Sequence, residues 1–153
     1  MPILYACLLN RRKEIALQGS YNTVQNFRDR ITKAPYEEYS TKEIYLDNSI
    51  KLHYNNMSEF ILCAVSDEMV PLEEASKFLD KFFRQICTEI LMFRGDPSSM
   101  PVNQIHQGFA PFQERNASMQ YAHLTQDISN FIKNWNEDPA NRTKMQQLFN
   151  NLN

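Results

Sequence analysis

Short apolar runs separated by polar residues dominate the first 65 positions of the chain, and this pattern predicts β-strands. Five such runs lie at residues 2–10, 14–20, 42–46, 50–54 and 59–65. The first two flank Arg11-Arg12-Lys13, so they predict a β-hairpin with a basic tip. Asp, Asn and Ser separate the other three, which favours turns and a meander of adjacent antiparallel strands. The run at 59–65 is apolar on both strand faces, which indicates that both faces of the sheet are covered there.

Apolar residues spaced three and four positions apart predict helices in three places. These places are residues 24–31, 71–95 and 121–135. Pro35 and Pro139 end the first and the last of them. Pro71 suits the first turn of the second helix, and Gly95 suits its stop. The Pro- and Gly-containing stretch from 96 to 111 is expected to be a connection.

The elements therefore follow the order β-β-α-β-β-β-α-α, which predicts an α+β fold, an α/β sandwich around a five-stranded, mainly antiparallel sheet. The first helix crosses over between the second and third strands and covers one face of the sheet. The two C-terminal helices cover the other face. The chain of 153 residues is long enough for one domain with its own core, which we place at residues 1–135, followed by a tail at 136–153.

Charge and composition exclude several classes of protein. The formal net charge is −2 and no run of Lys and Arg is interleaved with aromatic residues, so nucleic acid is not an expected partner. No apolar run approaches the roughly 20 residues of a membrane-spanning helix, so direct membrane insertion is not expected, and the apolar run at 1–9 is too short for a signal peptide. Cys7, Cys63 and Cys87 lie in apolar runs, which predicts buried, reduced thiols in a cytosolic protein.

The sequence carries no recognisable signature of catalysis. His53, His106 and His123 do not form a metal-binding pattern, and the three glycines form no phosphate-binding loop. A nucleophile elbow is missing as well. We therefore expect a protein that is not an enzyme, with no catalytic residues, no metal site and no cofactor. A site assembled from residues distant along the chain would not be visible at this level.

Two segments of the chain carry a family resemblance. Met1-Pro2-Ile3-Leu4-Tyr5-Ala6 opens the sequence, and Ile61-Leu62-Cys63-Ala64-Val65-Ser66-Asp67 leads into a helix that carries Ala75, Phe78 and Leu79. Together with the order of elements, these segments resemble the longin domain of vesicle-associated R-type SNARE (synaptobrevin-like) proteins over residues 1–135. The resemblance implies a longin/profilin-like fold and a role in vesicle-mediated protein transport and membrane fusion. It also implies that the domain works by binding other proteins.

The last residues of the sequence bear on this resemblance. In the family, the longin domain precedes a heptad-repeat SNARE helix and a membrane anchor. Met145, Leu148, Phe149 and Leu152 have the spacing with which a coiled-coil seam begins, so residues 136–153 are interpreted as the start of a SNARE motif or as a shortened remnant of one. No central Arg layer, apolar anchor or prenylation motif can be identified, so the chain as given is not expected to draw two membranes together.

The resemblance further implies a binding site, an apolar groove between the first helix and the third strand that accepts an extended or helical segment. Its residues in this chain are Val24, Phe27, Arg28 and Ile31 on the helix and Ile44, Tyr45 and Leu46 on the strand. The alternative is that Val24, Phe27 and Ile31 pack under their helix onto the sheet, as periodic apolar positions usually do. Tyr45 lies on the other strand face from Ile44 and Leu46, which favours it as a partner-facing residue.

Two functions are compatible with these observations. The first is a regulatory longin domain of an R-SNARE-like protein, monomeric alone, that binds its own SNARE segment, SNARE partners, or a coat or adaptor segment in the groove. It would act in the cytoplasm, at the cytosolic face of vesicles or endomembranes, if a C-terminal segment anchored it. The alternative is a stand-alone longin-type scaffold subunit of an adaptor coat or a tethering complex. In either case Arg11-Arg12-Lys13 is interpreted as a solvated turn, because three charges are too few to anchor a domain on a membrane.

Overall fold

A computed structural model describes residues 2–21, 26–37, 41–93 and 95–141, and its centre is a five-stranded antiparallel sheet. The strands are β1 (Ile3–Leu9), β2 (Ile15–Ser20), β3 (Thr41–Tyr45), β4 (Ile50–Asn56) and β5 (Ile61–Asp67). They follow the order β2-β1-β5-β4-β3 across the sheet. Every neighbouring pair is antiparallel, so the five predicted strands and their predicted sheet type are confirmed.

The first and the last of the described strands lie side by side in the middle of the sheet. β1 pairs with β5 so that Cys7 lies opposite Cys63 and Leu8 lies opposite Leu62. Each of the two strands has another strand on its other side, and their side chains are buried on both faces. This central position explains why β5 has apolar residues on both of its faces.

Five α-helices accompany the sheet in the described part of the chain. They are α1 (Arg28–Thr32), α2 (Leu72–Gln85), α3 (Val102–Phe109), α4 (Ala117–Gln120) and α5 (Thr125–Glu137). A π-helical turn, Ile86–Ile90, continues α2 along the predicted second helix. The helices predicted at 71–95 and 121–135 are thus present, although each is interrupted or shorter than its apolar pattern.

The prediction of an irregular connection at 96–111 was wrong, because α3 lies within it. Pro101 immediately precedes this helix, where proline is compatible because the first N–H groups of a helix have no partner within the helix. Gly108 lies inside α3 and brings the helix close to the end of the preceding segment. A Cβ at Gly108 would lie 3.2 Å from Cδ1 of Leu91. Pro101 therefore suits the start of α3, and Gly108 permits the close packing of α3 against Leu91.

The helices cover the two faces of the sheet unequally. On one face α1 contributes Ile31 to a cluster of buried residues. On the other face Phe78 of α2, Phe109 of α3, Ala117 of α4 and Ile132 of α5 join a larger cluster. The result is an α+β sandwich that matches a longin-like arrangement at this level of description. One helix on the first face agrees with the prediction, whereas the described residues place four helices on the second face instead of two.

All three cysteines are buried, as predicted, and none forms a disulfide. Burial raises the pKa of the Cys7 thiol well above its ordinary value and raises that of Cys87 to about 11. Because the thiolate is the nucleophilic form of cysteine, neither side chain is prepared for attack on a substrate at neutral pH.

One edge of the sheet is protected by α5, which packs against β2. Gly19 of β2 permits this approach, since a Cβ there would lie 2.5 Å from Cγ2 of Ile128 and 2.7 Å from the backbone nitrogen of Ser129. The backbone N–H of Ser20 donates a hydrogen bond to Oγ of Ser129 at 3.0 Å. An N–H group at this edge thereby gains a partner within the domain.

A single buried side chain fixes the end of α5 to the start of β1. Oδ1 of Asn136 accepts a hydrogen bond from the backbone N–H of Ile3 at 2.8 Å, and its Nδ2 donates one to the carbonyl of Ile3 at 2.9 Å. The division expected after residue 135 therefore falls inside α5, and Asn136 belongs to the packed part of the domain. The sequence analysis did not single out this residue.

Replacing Asn136 with Ala is expected to lower the free energy of unfolding by roughly 2 kcal/mol, because both backbone groups of Ile3 would lose a buried partner. Denaturant-induced unfolding measures this difference. Asn134, which is exposed on the same helix, provides the control, and Asn134→Ala is expected to change the free energy by less than about 0.5 kcal/mol. Equal losses in the two variants would contradict the role of the Asn136 amide.

Candidate partner-binding surface

Two apolar residues that were predicted to line the helix side of the groove are buried. Phe27 is 1% exposed and Ile31 is 0% exposed, and both pack in the cluster on the α1 side of the sheet. Core packing, the alternative considered for these positions, describes both of them in this structure. Arg28 is exposed at the start of α1, and Val24 lies outside the described residues.

The third strand presents its residues to two different faces. Ile44 and Leu46 are partly buried and pack against the cluster on the α1 side. Tyr45 points to the opposite face, where Nζ of Lys51 lies 5.9 Å from the centre of its ring, and 61% of Tyr45 is exposed. The predicted alternation along this strand is confirmed, and Tyr45 is a large apolar side chain left mostly in solvent.

The outer edge of β3 is the second open feature of this region. β3 is the last strand of the sheet, and no described segment pairs with its free side. The backbone N–H of Leu46 donates to the carbonyl of Ile50, so Leu46, Ile44 and Lys42 direct their main-chain groups towards β4. By the same alternation, Glu43 and Tyr45 direct theirs away from the sheet. Such unpaired edges are where proteins add a strand from another segment.

Polar contacts close the space between α1 and the sheet near Phe27. Nη1 of Arg30 lies 3.4 Å from Oδ2 of Asp47 in the turn after β3, and its guanidinium lies 5.7 Å from the centre of the Phe27 ring. The hydroxyl of Tyr36 donates to the carbonyl of Ile31 at 2.6 Å. The predicted trough is therefore filled under α1 by the domain's own side chains.

We define the β3 surface as Ile44, Tyr45, Leu46 and the outer edge of β3. These three residues are consecutive in β3, whereas Phe27 and Ile31 are buried in the cluster against which Ile44 and Leu46 pack, and Arg28 is the exposed first residue of α1. The partner-binding role of all seven groove residues stays a prediction. The expected seam of Met145, Leu148, Phe149 and Leu152 lies outside the described residues.

A buried polar cluster lies on the face of β3 and β4 that is turned away from α1. Nζ of Lys51 pairs with Oε2 of Glu43 at 3.3 Å, although Lys51 is almost fully buried. His53 is fully buried beside it, and its Nε2 lies 2.9 Å from Oγ of Ser66. The alternation of Lys51 and His53 with apolar neighbours in β4 already placed both on one strand face. What the sequence did not indicate is that Lys51 and His53 are buried on this face.

Ser66, His53 and Glu43 follow each other as the members of a catalytic triad do, but Nδ1 of His53 forms no hydrogen bond with Glu43 or any other described residue. The hydroxyl of Ser66 has an acceptor in the carbonyl of Asp67 at 2.9 Å, and when it donates there, Nε2 of His53 carries the proton and donates to Ser66. Nδ1 then carries no proton, and its 3.6 Å separation from Oε2 of Glu43 is too long for a hydrogen bond. A triad needs the opposite tautomer, with Nε2 free to take the serine proton.

Burial gives a second reason against nucleophilic catalysis at this cluster. Ser66 and His53 are both 0% exposed, so no substrate reaches either group in this conformation. Burial, together with the neighbouring Lys51 charge, lowers the pKa of His53 from 6.5 to about 4. His53 is therefore neutral at pH 7 and a weak base. The cluster connects β3, β4 and β5 as a structural polar network.

Comparisons with known proteins add no identification to this geometry. No protein-family model and no curated protein matches the chain. The resemblance to longin domains stays a prediction, and the fold agrees with it only at the coarse level. Across the described ranges, no helix has the length and apolar character to span a bilayer. Within the same ranges, no group of three His, Cys, Asp or Glu side chains is placed to hold a metal ion.

The lowered pKa of His53 predicts a pH-dependent stability. The unfolded chain takes up a proton on this residue near pH 6.5, whereas the folded protein does so only near pH 4. Between these values the unfolded state binds more protons, so the free energy of unfolding is expected to fall as the pH falls, by up to roughly 3 kcal/mol. His53→Gln removes the titrating group and should flatten this part of the curve, measured by denaturation at several pH values.

His123 offers the matched control because it is an exposed histidine. His123→Gln is expected to leave the steep decline between pH 6.5 and 4 in place. A curve for His53→Gln that parallels the curve of the unaltered protein would show that His53 is not the group responsible.

Proposed function

We propose that this chain is a regulatory, protein-binding longin domain of an R-SNARE-like protein in vesicle-mediated transport. It binds its own SNARE segment, a SNARE partner, or a coat or adaptor segment at the β3 surface, and it acts at the cytosolic face of vesicles or endomembranes. The observation that carries the proposal is the open outer edge of β3, which has the exposed Tyr45 on one face and the partly buried Ile44 and Leu46 on the other.

The β3 surface suits an extended apolar segment. A strand added to this edge would receive main-chain hydrogen bonds from Glu43 and Tyr45. Alternate side chains of the added strand would contact Ile44 and Leu46 on one face and Tyr45 on the other. Apolar surface removed from water in this way contributes about 25 cal/mol per Å² to binding. The site therefore lies along the strand edge, since the space beneath α1 is filled.

Regulation follows from competition for this one surface. Met145, Leu148, Phe149 and Leu152, which we name the tail stripe, belong to the same chain as β3. A segment tethered by a short linker has an effective concentration of about millimolar, so even a weak site is largely occupied by it. A sorting partner must displace the tail to bind, and a released tail is free to enter a helical bundle.

Removing the tail stripe is expected to change the environment of β3. In the full chain, replacing its four residues with Ser should shift the backbone amide NMR signals of Ile44, Tyr45 and Leu46, because the β3 surface would lose its occupant. A synthetic peptide of residues 142–153, added to this variant, should reverse the shifts. The same peptide with Ser at the four positions is the control. Unchanged signals in both experiments would exclude the β3 surface as the docking site of this tail.

Tyr45→Ser is expected to weaken binding of that peptide about tenfold or more, as loss of an aromatic anchor does. It should lower the free energy of unfolding by less than about 1 kcal/mol, because most of the ring is in solvent. Calorimetric titration and thermal unfolding measure the two effects. Met119→Ser, at an exposed residue of α4, is the control for loss of an apolar surface group. Collapse of the thermal transition in Tyr45→Ser would identify Tyr45 as a structural residue.

A stand-alone scaffold subunit of an adaptor coat or a tethering complex is the second candidate, and the same open edge favours it. An unpaired edge strand also pairs permanently with a second polypeptide. The two candidates differ in the behaviour of the purified chain. A regulatory domain is expected to sediment as a monomer of 18.0 kDa at every concentration, because its own tail covers the edge. A dimer or larger assembly that survives dilution would favour the scaffold.

A further inference from the structure

A charged cleft lies beside the tip of the β1–β2 hairpin, far along the chain from the β3 surface. Its volume is about 360 Å³, which lies near the lower end of the range for small-molecule sites. The charged residues that line it come from the hairpin tip, from α1 and from the segment before α4. They are Arg12, Lys13, Glu14, Arg28, Glu114 and Arg115. The tip alone, as seen in the sequence, supplies only part of this set.

Positive charge dominates the cleft, although the whole chain carries a net charge of −2. Arg12 pairs with Glu14, with Nε 2.6 Å from Oε1, and this contact lowers the pKa of the Glu14 carboxyl. By contrast, the side chains of Lys13, Arg28 and Arg115 form no ion pair with any described residue. Four cationic side chains thus share one cavity with two carboxylates, Glu14 and Glu114, and the excess of positive charge in a concave site favours a bound anion.

The hairpin tip is held rigidly in place by Asn10, which is 2% exposed. Oδ1 of Asn10 accepts hydrogen bonds from the backbone N–H groups of Arg12 at 2.9 Å and Glu14 at 3.0 Å. Its Nδ2 donates to the carbonyl of Phe112 at 3.2 Å, which ties the tip to the segment before α4. The backbone that carries Arg12, Lys13 and Glu14 is therefore held by contacts within the domain, which reduces the backbone entropy lost on binding.

The backbone of Lys13 supports the same interpretation. Its φ of 60° lies in the left-handed region, which non-glycine residues other than Asn and Asp seldom adopt. Its N–H donates to the carbonyl of Asn10 at 2.9 Å, so the turn is closed around this conformation. A lysine is thus held at a position where glycine or asparagine is the ordinary choice, and its side chain adds a charge to the cleft.

We propose that this cleft binds a small polyol that carries phosphate groups, of the inositol phosphate class. Guanidinium groups such as those of Arg28 and Arg115 bind phosphate oxygens through paired hydrogen bonds. The carboxylates of Glu14 and Glu114 suit the hydroxyl groups of a polyol. An acidic peptide fits less well, because the cleft offers little apolar surface for an anchoring side chain. The same chemistry is present in a free inositol phosphate and in the headgroup of a phosphoinositide lipid.

This proposal does not depend on the function of the β3 surface. The cleft lies at the start of α1 and the β3 surface lies at the opposite edge of the sheet. The chain with Ser in place of the tail stripe is therefore expected to bind the phosphorylated ligand as the unaltered chain does. Failure of one proposal leaves the other standing, and the two sets of measurements separate them.

The test begins with calorimetric titration of the full chain with inositol trisphosphate. Binding of one molecule per chain is expected, weakening as the salt concentration rises because the contacts are ionic. Arg28→Gln combined with Arg115→Gln should reduce the affinity about tenfold or more. Lys77→Gln combined with Lys133→Gln removes the same charge from exposed helical positions and should leave the affinity within about twofold. Thermal unfolding of each variant reports whether it is folded.

A second arm separates the two sources of the ligand. Sedimentation with phosphatidylcholine vesicles that contain a phosphatidylinositol bisphosphate should pull down the chain if the lipid headgroup binds, and free inositol trisphosphate should compete. Binding of the free compound without binding of the vesicles would assign the cleft to the soluble form. Either result supports a phosphorylated polyol as the ligand.

Four results would overturn the proposal. One is the absence of binding in both arms with the folded, unaltered chain. Another is an equal loss of affinity in the arginine and lysine pairs, which would indicate unspecific attraction by surface charge. The third is binding of a poly-glutamate peptide as tightly as inositol trisphosphate, which would make the cleft a site for acidic proteins. Amide NMR signals of Lys13, Arg28 and Arg115 that do not move on addition of inositol trisphosphate would place any binding elsewhere.

Discussion

The pairing of β1 with β5 is the contact on which the arrangement of the other elements depends. Both strands are buried on both faces, so each face of the sheet has to be covered by a separate layer of helix. α1 supplies one layer, and α2 to α5 supply the other. Two polar side chains of the inner strands that are buried from water, His53 and Ser66, contact each other. The need of buried polar groups for a partner also explains why Asn136 reaches Ile3 from the end of α5.

The two edges of the sheet differ, and this difference is what makes the domain a candidate for binding other polypeptides. At the β2 edge, Gly19 lets α5 approach closely and Ser129 accepts a hydrogen bond from the strand. At the β3 edge, no described segment takes the corresponding place. A sheet with one protected edge and one open edge favours strand addition at the open edge. The filled space beneath α1 moves the candidate site from the groove under the helix to the strand edge and its exposed tyrosine.

The role of a group of reactive or charged side chains depends on the residues that surround it. Ser66, His53 and Glu43 follow the order of a catalytic triad, but the long separation of His53 from Glu43 and the burial of His53 and Ser66 indicate a structural network. The hairpin tip, by contrast, looks like an ordinary solvated turn in the sequence. In the fold, α1 brings Arg28 to it, and the segment before α4, to which Asn10 is hydrogen-bonded at Phe112, brings Arg115. The chemistry of each place thus depends on contacts between residues far apart along the chain.

Local pattern determined which segments of this protein are strands and which residues alternate between faces. The two-residue period of a strand is a property of the backbone itself, so Tyr45 was correctly separated from Ile44 and Leu46, and the burial of Cys7, Cys63 and Cys87 followed from their apolar runs. Local pattern failed for α3, because Pro101 and Gly108 break a helix in one position and begin or pack one in another.

Only the tertiary structure decided the order of the strands, the burial of Phe27 and Ile31, and the pairing of Asn136 with Ile3. It also brought together the cations of the cleft and left the edge of β3 open. These features are contacts between segments, and a contact depends on how whole layers pack. A periodic pattern states which face of a segment is apolar, but not which other segment covers it.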